Sequence, residues 1–355
     1  MDRLSMMPRD PADRSQIDLP WPEEGLEAVD RCPYCQSRER DLAHADVQDW
    51  SFYCAPGKWT YWACAQCASL YLDPRPTPTT IGLAYARYYT HRHAAQSSLV
   101  QRAKDHLVNE FWAHELRVDV RPRLHLPSWL RGMLLPLRPH LVEPFQLAEL
   151  AKLTPGRLVD LGCGNGDMLV MAGQLGWEAI GIELDPAAAQ VSRVRTGGVV
   201  LEGSYARLGE LRGEIDCVIC SHVLEHVQNP LDMLASIAEA LRPGGILLLS
   251  LPNATSSMRQ HFGDDWRGLE APRHLSIPSM RQLTATLAET GFSVRQRPLT
   301  RLWTATESFR IRRRGIRTNS QDRAAARQLA RNSAPESTAQ YDFAELVCIR
   351  TSADE

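Results

Sequence analysis

At 355 residues the chain is long enough for more than one structural unit. Forty Lys and Arg stand against 42 Asp and Glu, a formal net charge of −2, so no global field recruits nucleic acid or an anionic membrane. No apolar run approaches the roughly 18 residues of a membrane span, and the start Met1-Asp-Arg-Leu-Ser-Met-Met-Pro8 lacks the apolar core of a secretory signal, so the expected compartment is the cytoplasm.

Residues 1–30 read as a tail. Cys32-Pro-Tyr-Cys35 and Cys64-Ala-Gln-Cys67 then form two C-x-x-C knuckles. Two thiolates at this spacing chelate one side of a tetrahedral ion, and a second pair closes the shell. The pattern predicts a structural zinc site on Cys32, Cys35, Cys64 and Cys67. The alternative is a redox-active pair, but no thioredoxin-like strand–helix context surrounds either knuckle. Cys54 and His44 read as bystanders. Pro74, Pro76 and Pro78 stiffen a connector, so a zinc-ribbon-like module with its connector is assigned to 31–96. Cys163, Cys217, Cys220 and Cys348 sit in or beside predicted core strands and read as buried small hydrophobes of a reducing compartment.

Residues 97–150 read as a helical cap or linker. Val100, Ala103, Leu107, Val108, Phe111 and Leu116 recur at helical spacing. Prolines at 122, 127, 136, 139 and 144 break the remainder of the region into short pieces. There Arg131, Arg138 and His140 alternate with Trp129, Met133, Leu134 and Leu137. Such a piece either caps a sheet with a solvated charged face or makes peripheral contact with a membrane or an acidic substrate.

Leu158-Val-Asp-Leu-Gly-Cys-Gly-Asn-Gly-Asp167 carries the most chemistry. A short apolar run ends at Asp160, and glycines come after it at 162, 164 and 166. Glycines after a strand let the backbone approach a ligand and adopt positive φ. In an open α/β sheet, ligands bind at the carboxyl ends of the strands. A dinucleotide loop, G-x-G-x-x-G, would need glycine at Asp167, so the loop is of another kind. Glu178-Ala-Ile-Gly-Ile-Glu183 is a second strand ending in an acid, placed to accept from ribose hydroxyls. Asp185 and Pro186 start the next helix as cap and first residue. Further strands are read at Val199–Ser204, Ile215–Ser221 and within Arg242–Asn253. Ser279 caps a helix. Strands at Phe292–Leu299 and Tyr341–Arg350 close the sheet, the last returning as a hairpin partner. Between them, 301–340 is a basic insert. Arg301–Arg317 holds six arginines against Glu307, and the Ser/Ala/Gln/Arg-rich 319–339 is expected to be disordered. The basic stretch is either a solvated helix or a site for RNA or an anionic lipid-linked acceptor.

Asp160-Leu-Gly-Cys-Gly164, Gly181-Ile-Glu183, Leu224-Glu-His-Val227 and Arg242-Pro-Gly-Gly245 occur in the order of class I S-adenosylmethionine (SAM)-dependent methyltransferases, and the chain resembles that family over 151–300 and 341–355. The resemblance implies a Rossmann-like α/β fold, a seven-stranded sheet with the last strand antiparallel. It implies SAM contacts from Asp160, Gly162, Cys163, Gly164, Gly166, Glu183, Leu184, Ser204, Ser221 and His222. Many members carry an aspartate for adenine where Ser204 stands here. The four-cysteine unit, the Pro-Arg-Pro segment and the Tyr88-Tyr89 pair resemble a bacterial subgroup, some of whose members methylate O or C atoms of nucleotide-linked sugars, antibiotic precursors or glycans. There the tyrosines would fold over the cofactor mouth, or else pack between units.

Methyl transfer is an in-line displacement, and a protonated acceptor needs a base. The loop Asp264–Ser279 resembles the acceptor loop of relatives, which implies His274 as general base, with an imidazole that ordinarily titrates near neutrality. Trp266, Arg267, Glu270 and Arg273 would shape that site, with the arginines suited to a phosphate or carboxylate. His222 is the second candidate. If 222–226 is helical, His222 and His226 share a face. In one quinone-biosynthesis branch the matching acids and histidine bind a divalent ion, but His222 replaces the first acid here. The expected function is methyl transfer from SAM to O or C of a small molecule, nucleotide-linked sugar or glycan precursor. The rivals are a nucleic-acid methyltransferase and a non-catalytic SAM-binding regulator.

Overall fold

The apolar runs of the sequence become strands with few residues to spare. The computed structural model describes residues 16–85, 99–115, 123–134, 145–297, 302–316, 318–332 and 341–351. β1 (Leu26–Glu27), β2 (Arg40–Val47), β3 (Trp59–Cys64), β4 (Leu70–Leu72) and β5 (Arg75–Pro76) precede α1 (Leu99–Glu115), α2 (Ser128–Leu134) and α3 (Phe145–Leu150). The chain then alternates through β6 (Arg157–Leu161), α4 (Asp167–Gln174), β7 (Glu178–Glu183), α5 (Pro186–Thr196), β8 (Val199–Glu202), β9 (Ile215–Ser221), α6 (Pro230–Ala240) and β10 (Leu241–Pro252). α7 (Ser257–Phe262), β11 (Ser276–Ile277), α8 (Met280–Glu289), β12 (Phe292–Arg297), α9 (Leu302–Arg312), α10 (Ser320–Asn332) and β13 (Phe343–Arg350) complete the order.

Seven strands share one sheet, in the order β12-β13-β10-β9-β6-β7-β8. Helical crossovers make β6, β7 and β8 parallel neighbours. β13 runs antiparallel to both β10 and β12. This is the Rossmann-like sheet with an antiparallel last strand that the sequence predicts. Leu158, Val159, Ile180 and Ile182 form the buried part of β6 and β7, as Leu247, Leu248, Leu346 and Cys348 do in β10 and β13. Local signals placed the helix ends correctly. Asp185 Oδ1 accepts from Ala187 N, Pro186 is the first helical residue of α5, and Gly197 ends it at φ 62°.

The described residues fall into two compact units, one within Tyr89–Ile219 and the other within Pro8–Tyr88 and Cys220–Glu355. The second unit changes the reading of 31–96 as a module of its own. Its sheet has the order β11-β4-β3-β2, and β11 comes from the loop before α8. Ser276 stands opposite Tyr71, and Ile277 opposite Leu70. A two-residue strand has no periodicity to betray it.

Two further expectations change. Of the stretch expected to be disordered, Ser320–Asn332 forms α10 and 333–339 lie outside the described residues; alanine, glutamine and arginine favour helix, and the start of α10 is capped reciprocally. Asn319 Oδ1 accepts from Asp322 N, and Asp322 Oδ2 accepts from Asn319 N. Residues 222–226 are not one helical turn. His222 takes φ 58°, and a 3₁₀ turn spans only Leu224–His226. Tyr88, Tyr89, Arg138 and His140 lie outside the described residues.

Candidate functional site

In the first unit, the chain leaves β6 through Gly162, Gly164 and Gly166 at φ 68°, 54° and 80°. All three are left-handed, where a side chain is strained. The glycines differ in their surroundings. A Cβ on Gly166 would come within 2.5 Å of Ser192 Oγ, whereas one on Gly164 would meet nothing within 4 Å. Gly166 therefore lets the loop pack on α5, and Gly164 keeps one face of the loop open. Glu183 ties the arrangement together. Its carboxylate accepts from Gly164 N at 2.8 Å and from Asp185 N at 2.9 Å. Asp160 stands opposite Gly181 in the ladder. Burial, helped by the charge of Glu183, raises its carboxyl to about 8. Cys163 is a packing group, because a Cβ on Gly181 would meet its Sγ at 2.6 Å. Leu184 is 68% exposed next to Glu183. Ser204 Oγ caps the 3₁₀ turn after it by accepting from Ala206 N. Ser221 and His222 belong to the other unit, at the end of β9.

In that second unit the four knuckle sulfurs converge. Cys32 Sγ lies 3.6 Å from Cys67 Sγ, and Cys35 Sγ lies 3.4 Å from Cys64 Sγ. All four are within 4.8 Å of one another and none is in a disulfide. Zinc–thiolate bonds of about 2.3 Å in a tetrahedron place sulfurs roughly 3.8 Å apart, so the four could hold one ion. The knuckles repeat one local design. Gln36 N donates to Cys32 O and Ala68 N to Cys64 O, and Gln36 and Ala68 both sit at φ 61°. His44 stays outside, with Nδ1 at 2.7 Å from Asp264 Oδ1. Cys54 also stays outside, beside Arg273.

The same unit assembles a buried polar cluster. His226 Nδ1 is 2.9 Å from Arg273 O and 3.0 Å from Tyr85 Oη. A carbonyl only accepts, so Nδ1 carries the proton and Nε2 the lone pair. His274 Nδ1 is 2.7 Å from Gly268 O, which fixes the same tautomer. The two rings meet edge to face at 4.7 Å. His274 Nε2 lies 3.9 Å from Glu225 Oε1 and 3.7 Å from Glu270 Oε2. One ligand atom each from Glu225, His226 and His274 falls within 4.8 Å of the others. His226 thus pairs with His274, not with His222.

Electrostatics separates the two candidate bases. Burial lowers His274 to about 3, despite the opposing charge of Glu270. The expectation of a His274 titration near neutrality therefore does not hold, and the ring is neutral across the ordinary range. Burial also raises Glu225 to about 8, so it is protonated at pH 7. His222 keeps its side chain 30% exposed, with Nδ1 3.2 Å from Glu225 Oε1. Beneath this cluster, Arg273 pairs with Asp49 and Glu270, and Arg267 pairs with Glu270. Both arginines are spent on internal carboxylates, which departs from the expected open anion site. Four of the six arginines of the basic stretch, those among the described residues, make ion pairs. Arg310 pairs with Glu307, Arg312 and Arg314 with Asp265, and Arg313 with Asp322.

Sequence reasoning missed Asp49, Tyr61 and Tyr85. Each reaches the cluster from far along the chain, and no local motif marks any of them.

Residues 137–297 match a family described as "Methyltransferase domain". A ubiquinone biosynthesis O-methyltransferase of Xanthomonas campestris pv. campestris (strain B100) is 32% identical over 125 residues, covering 33% of this chain and 52% of that one. One from Shewanella halifaxensis (strain HAW-EB4) is 28% identical over 124 residues, covering 32% and 52%. The chain spans about half the length of the curated relatives it matches. A crystallised SAM-dependent methyltransferase from Archaeoglobus fulgidus aligns with TM-score 0.41 and 17% identity, over 63% of this chain and all of that one. Residues 137–297, which hold most of the sheet and the glycine loop described above, are thus similar to a methyltransferase domain.

Proposed function

We propose that the chain transfers a methyl group from SAM to an O or C atom of a small molecule, a nucleotide-linked sugar or a glycan precursor. The observation that carries this reading is the open glycine loop locked to Glu183 through Gly164 N. Asp160 and the glycines would hold the methionine end of SAM, Glu183 the ribose, and Leu184 and Ser204 would border the adenine. SAM supplies an activated methyl on sulfur. The chain's own residues would orient it and take a proton from the acceptor. The quinone-pathway relatives are O-methyltransferases by name, which favours a hydroxyl acceptor. A nucleic-acid acceptor fits poorly with a net charge of −2 and arginines already paired with acids.

Calorimetry is expected to show micromolar-range binding of SAM and its demethylated product, and none of NAD. Glu183→Ala or Asp160→Ala should weaken SAM by about 1–3 kcal/mol, the scale of a lost charge-assisted hydrogen bond. Because Asp160 ionises only near pH 8 in the unliganded protein, a cation bound beside it should draw its proton off. Affinity should therefore grow as pH rises toward 8. Tight NAD binding without SAM binding would end the reading.

The four thiolates would hold a structural zinc, with no coordination position left for chemistry. Elemental analysis should find one zinc per chain, and Cys64→Ser should lose it. Metal on Glu225 and His226, with none on the cysteines, would contradict the assignment.

We further propose His222, rather than His274, as the group that receives the acceptor's proton, because it alone of the two keeps an exposed ring. His274 and Glu225 would brace it.

A further inference from the structure

The second knuckle holds more than sulfur. Ser69, two residues past Cys67, accepts through Oγ from Ser279 N at 3.1 Å. Ser279 Oγ donates to Cys67 O at 2.6 Å and also caps α8 by accepting from Gln282 N. Arg281 Nη2 donates to Gln66 O at 2.7 Å. One strand back, the buried Tyr61 Oη lies 2.6 Å from Leu269 O and 2.7 Å from His274 O. Between these points β11 is paired to β4. Residues 61–71 therefore touch the loop that carries His274 at its middle and at its end.

The buried cluster at the knuckle itself is small, with Val29, Cys35, Trp62 and Leu231 packed against it. The buried core around it is Cys32, Tyr34, Cys64, Cys67 and Tyr71, so three of its five members are sulfur ligands. No disulfide joins these cysteines, and metal binding in such a site supplies folding free energy directly. A segment that loses this support opens as a local unit, together with whatever it anchors.

We propose that the zinc knuckle is the anchor of the 264–279 loop, with Ser69 and Tyr61 as positioning residues that transmit its order to His274 and its neighbours. The structural coupling stands by itself, and only its consequence for methyl transfer rests on the function proposed above. The metal would thus govern the acceptor side of the protein and leave the glycine loop of the other unit alone.

Hydrogen–deuterium exchange on the full chain, zinc-loaded and after chelation, tests this. Chelation should speed exchange about tenfold or more in peptides covering 264–283 as well as 59–72, and leave 157–205 nearly unchanged. Returning zinc alone should restore protection, and SAM affinity should stay within about threefold throughout. Ser69→Ala should retain its zinc yet speed exchange at 274–283 about three- to tenfold, and Ser69→Thr, which keeps the hydroxyl, should restore it. Tyr61→Phe should act in the same way on 269–275. Unchanged protection at 264–283 while 59–72 opens would overturn the proposal. If chelation unfolds the whole chain, Ser69→Ala decides: a zinc-loaded variant with wild-type protection at 274–283 overturns it. Loop opening in a protein that binds no SAM would leave the anchor intact and remove the methyltransferase reading instead.

Discussion

Arg273→Ala is expected to lower the unfolding free energy by about 3–5 kcal/mol, the cost of stranding buried charges whose partner has gone. The guanidinium is fully buried. It donates to Asp49 Oδ2 at 3.1 Å, to Glu270 Oε1 at 3.1 Å and to Ala84 O at 3.0 Å, and stacks over Phe52 at 4.8 Å. Asp49 in turn orders its own loop by accepting from Phe52 N, Cys54 N and Ala55 N. Burial alone would raise the Glu270 carboxyl, but the charges of Arg267 and Arg273 outweigh it and hold Glu270 well below the usual carboxylate range. Removing Arg273 takes the buried cation from Asp49, leaves Glu270 with Arg267 alone, and opens a cavity between them. Arg273→Lys should recover only part of the loss, since an ammonium cannot serve two carboxylates and a carbonyl with a planar fork. Urea unfolding measures the difference, and a midpoint unchanged in Arg273→Ala would show that the cluster contributes little.

His222→Ala is expected to cut turnover by ~10²–10⁴ with SAM affinity nearly unchanged, because a general base acts only in the transition state. His274→Ala should affect stability more than the pH profile, since its ring is already neutral far below the working range. The pH dependence belongs to Glu225. As pH rises through about 8 a carboxylate forms 3.2 Å from His222 Nδ1, which strengthens that imidazole as a base. Activity should step upward there, and Glu225→Gln should flatten the step. The same group has an opposite effect on stability. Its folded value of about 8 lies above the ordinary 4.5, so between these values the native state holds a proton that the unfolded state has lost. Stability from this group is full below about 4.5 and is lost as pH rises through 8. A larger loss of turnover in His274→Ala than in His222→Ala would return the base to the 264–279 loop. Full activity in both variants would mean an acceptor that arrives ionised.

Much of the donor half was legible because its signals are short-ranged. Three glycines in five residues permit positive φ at no steric cost whatever surrounds them, and the structure places all three there. Glu183 ends β7, as its apolar run required, and Asp185, Ser279 and Pro186 sit at the helix starts that their side chains favour. The knuckles were equally plain, since each bends on its own backbone bonds. The acceptor half was legible only as a list of ionisable residues in a polar loop. Their partners lie 224 residues away for Arg273 and Asp49, 213 for His274 and Tyr61, and 141 for His226 and Tyr85.

The chain by itself determined the class of sheet, the glycine loop and the cysteine pairs, because each depends on backbone geometry or ligand spacing within a few residues. The tertiary structure decided which histidine is buried and which keeps an exposed ring. Burial sets whether an imidazole or a carboxyl keeps its proton, and burial is a sum over neighbours from distant segments. It holds the His274 imidazole well below its ordinary titration. It turned Arg267 and Arg273 from substrate-facing cations into internal counter-charges. It also drew a two-residue strand from the loop before α8 onto β4, just past the second cysteine knuckle, a pairing too short to announce itself in sequence and visible only once the strands are in place.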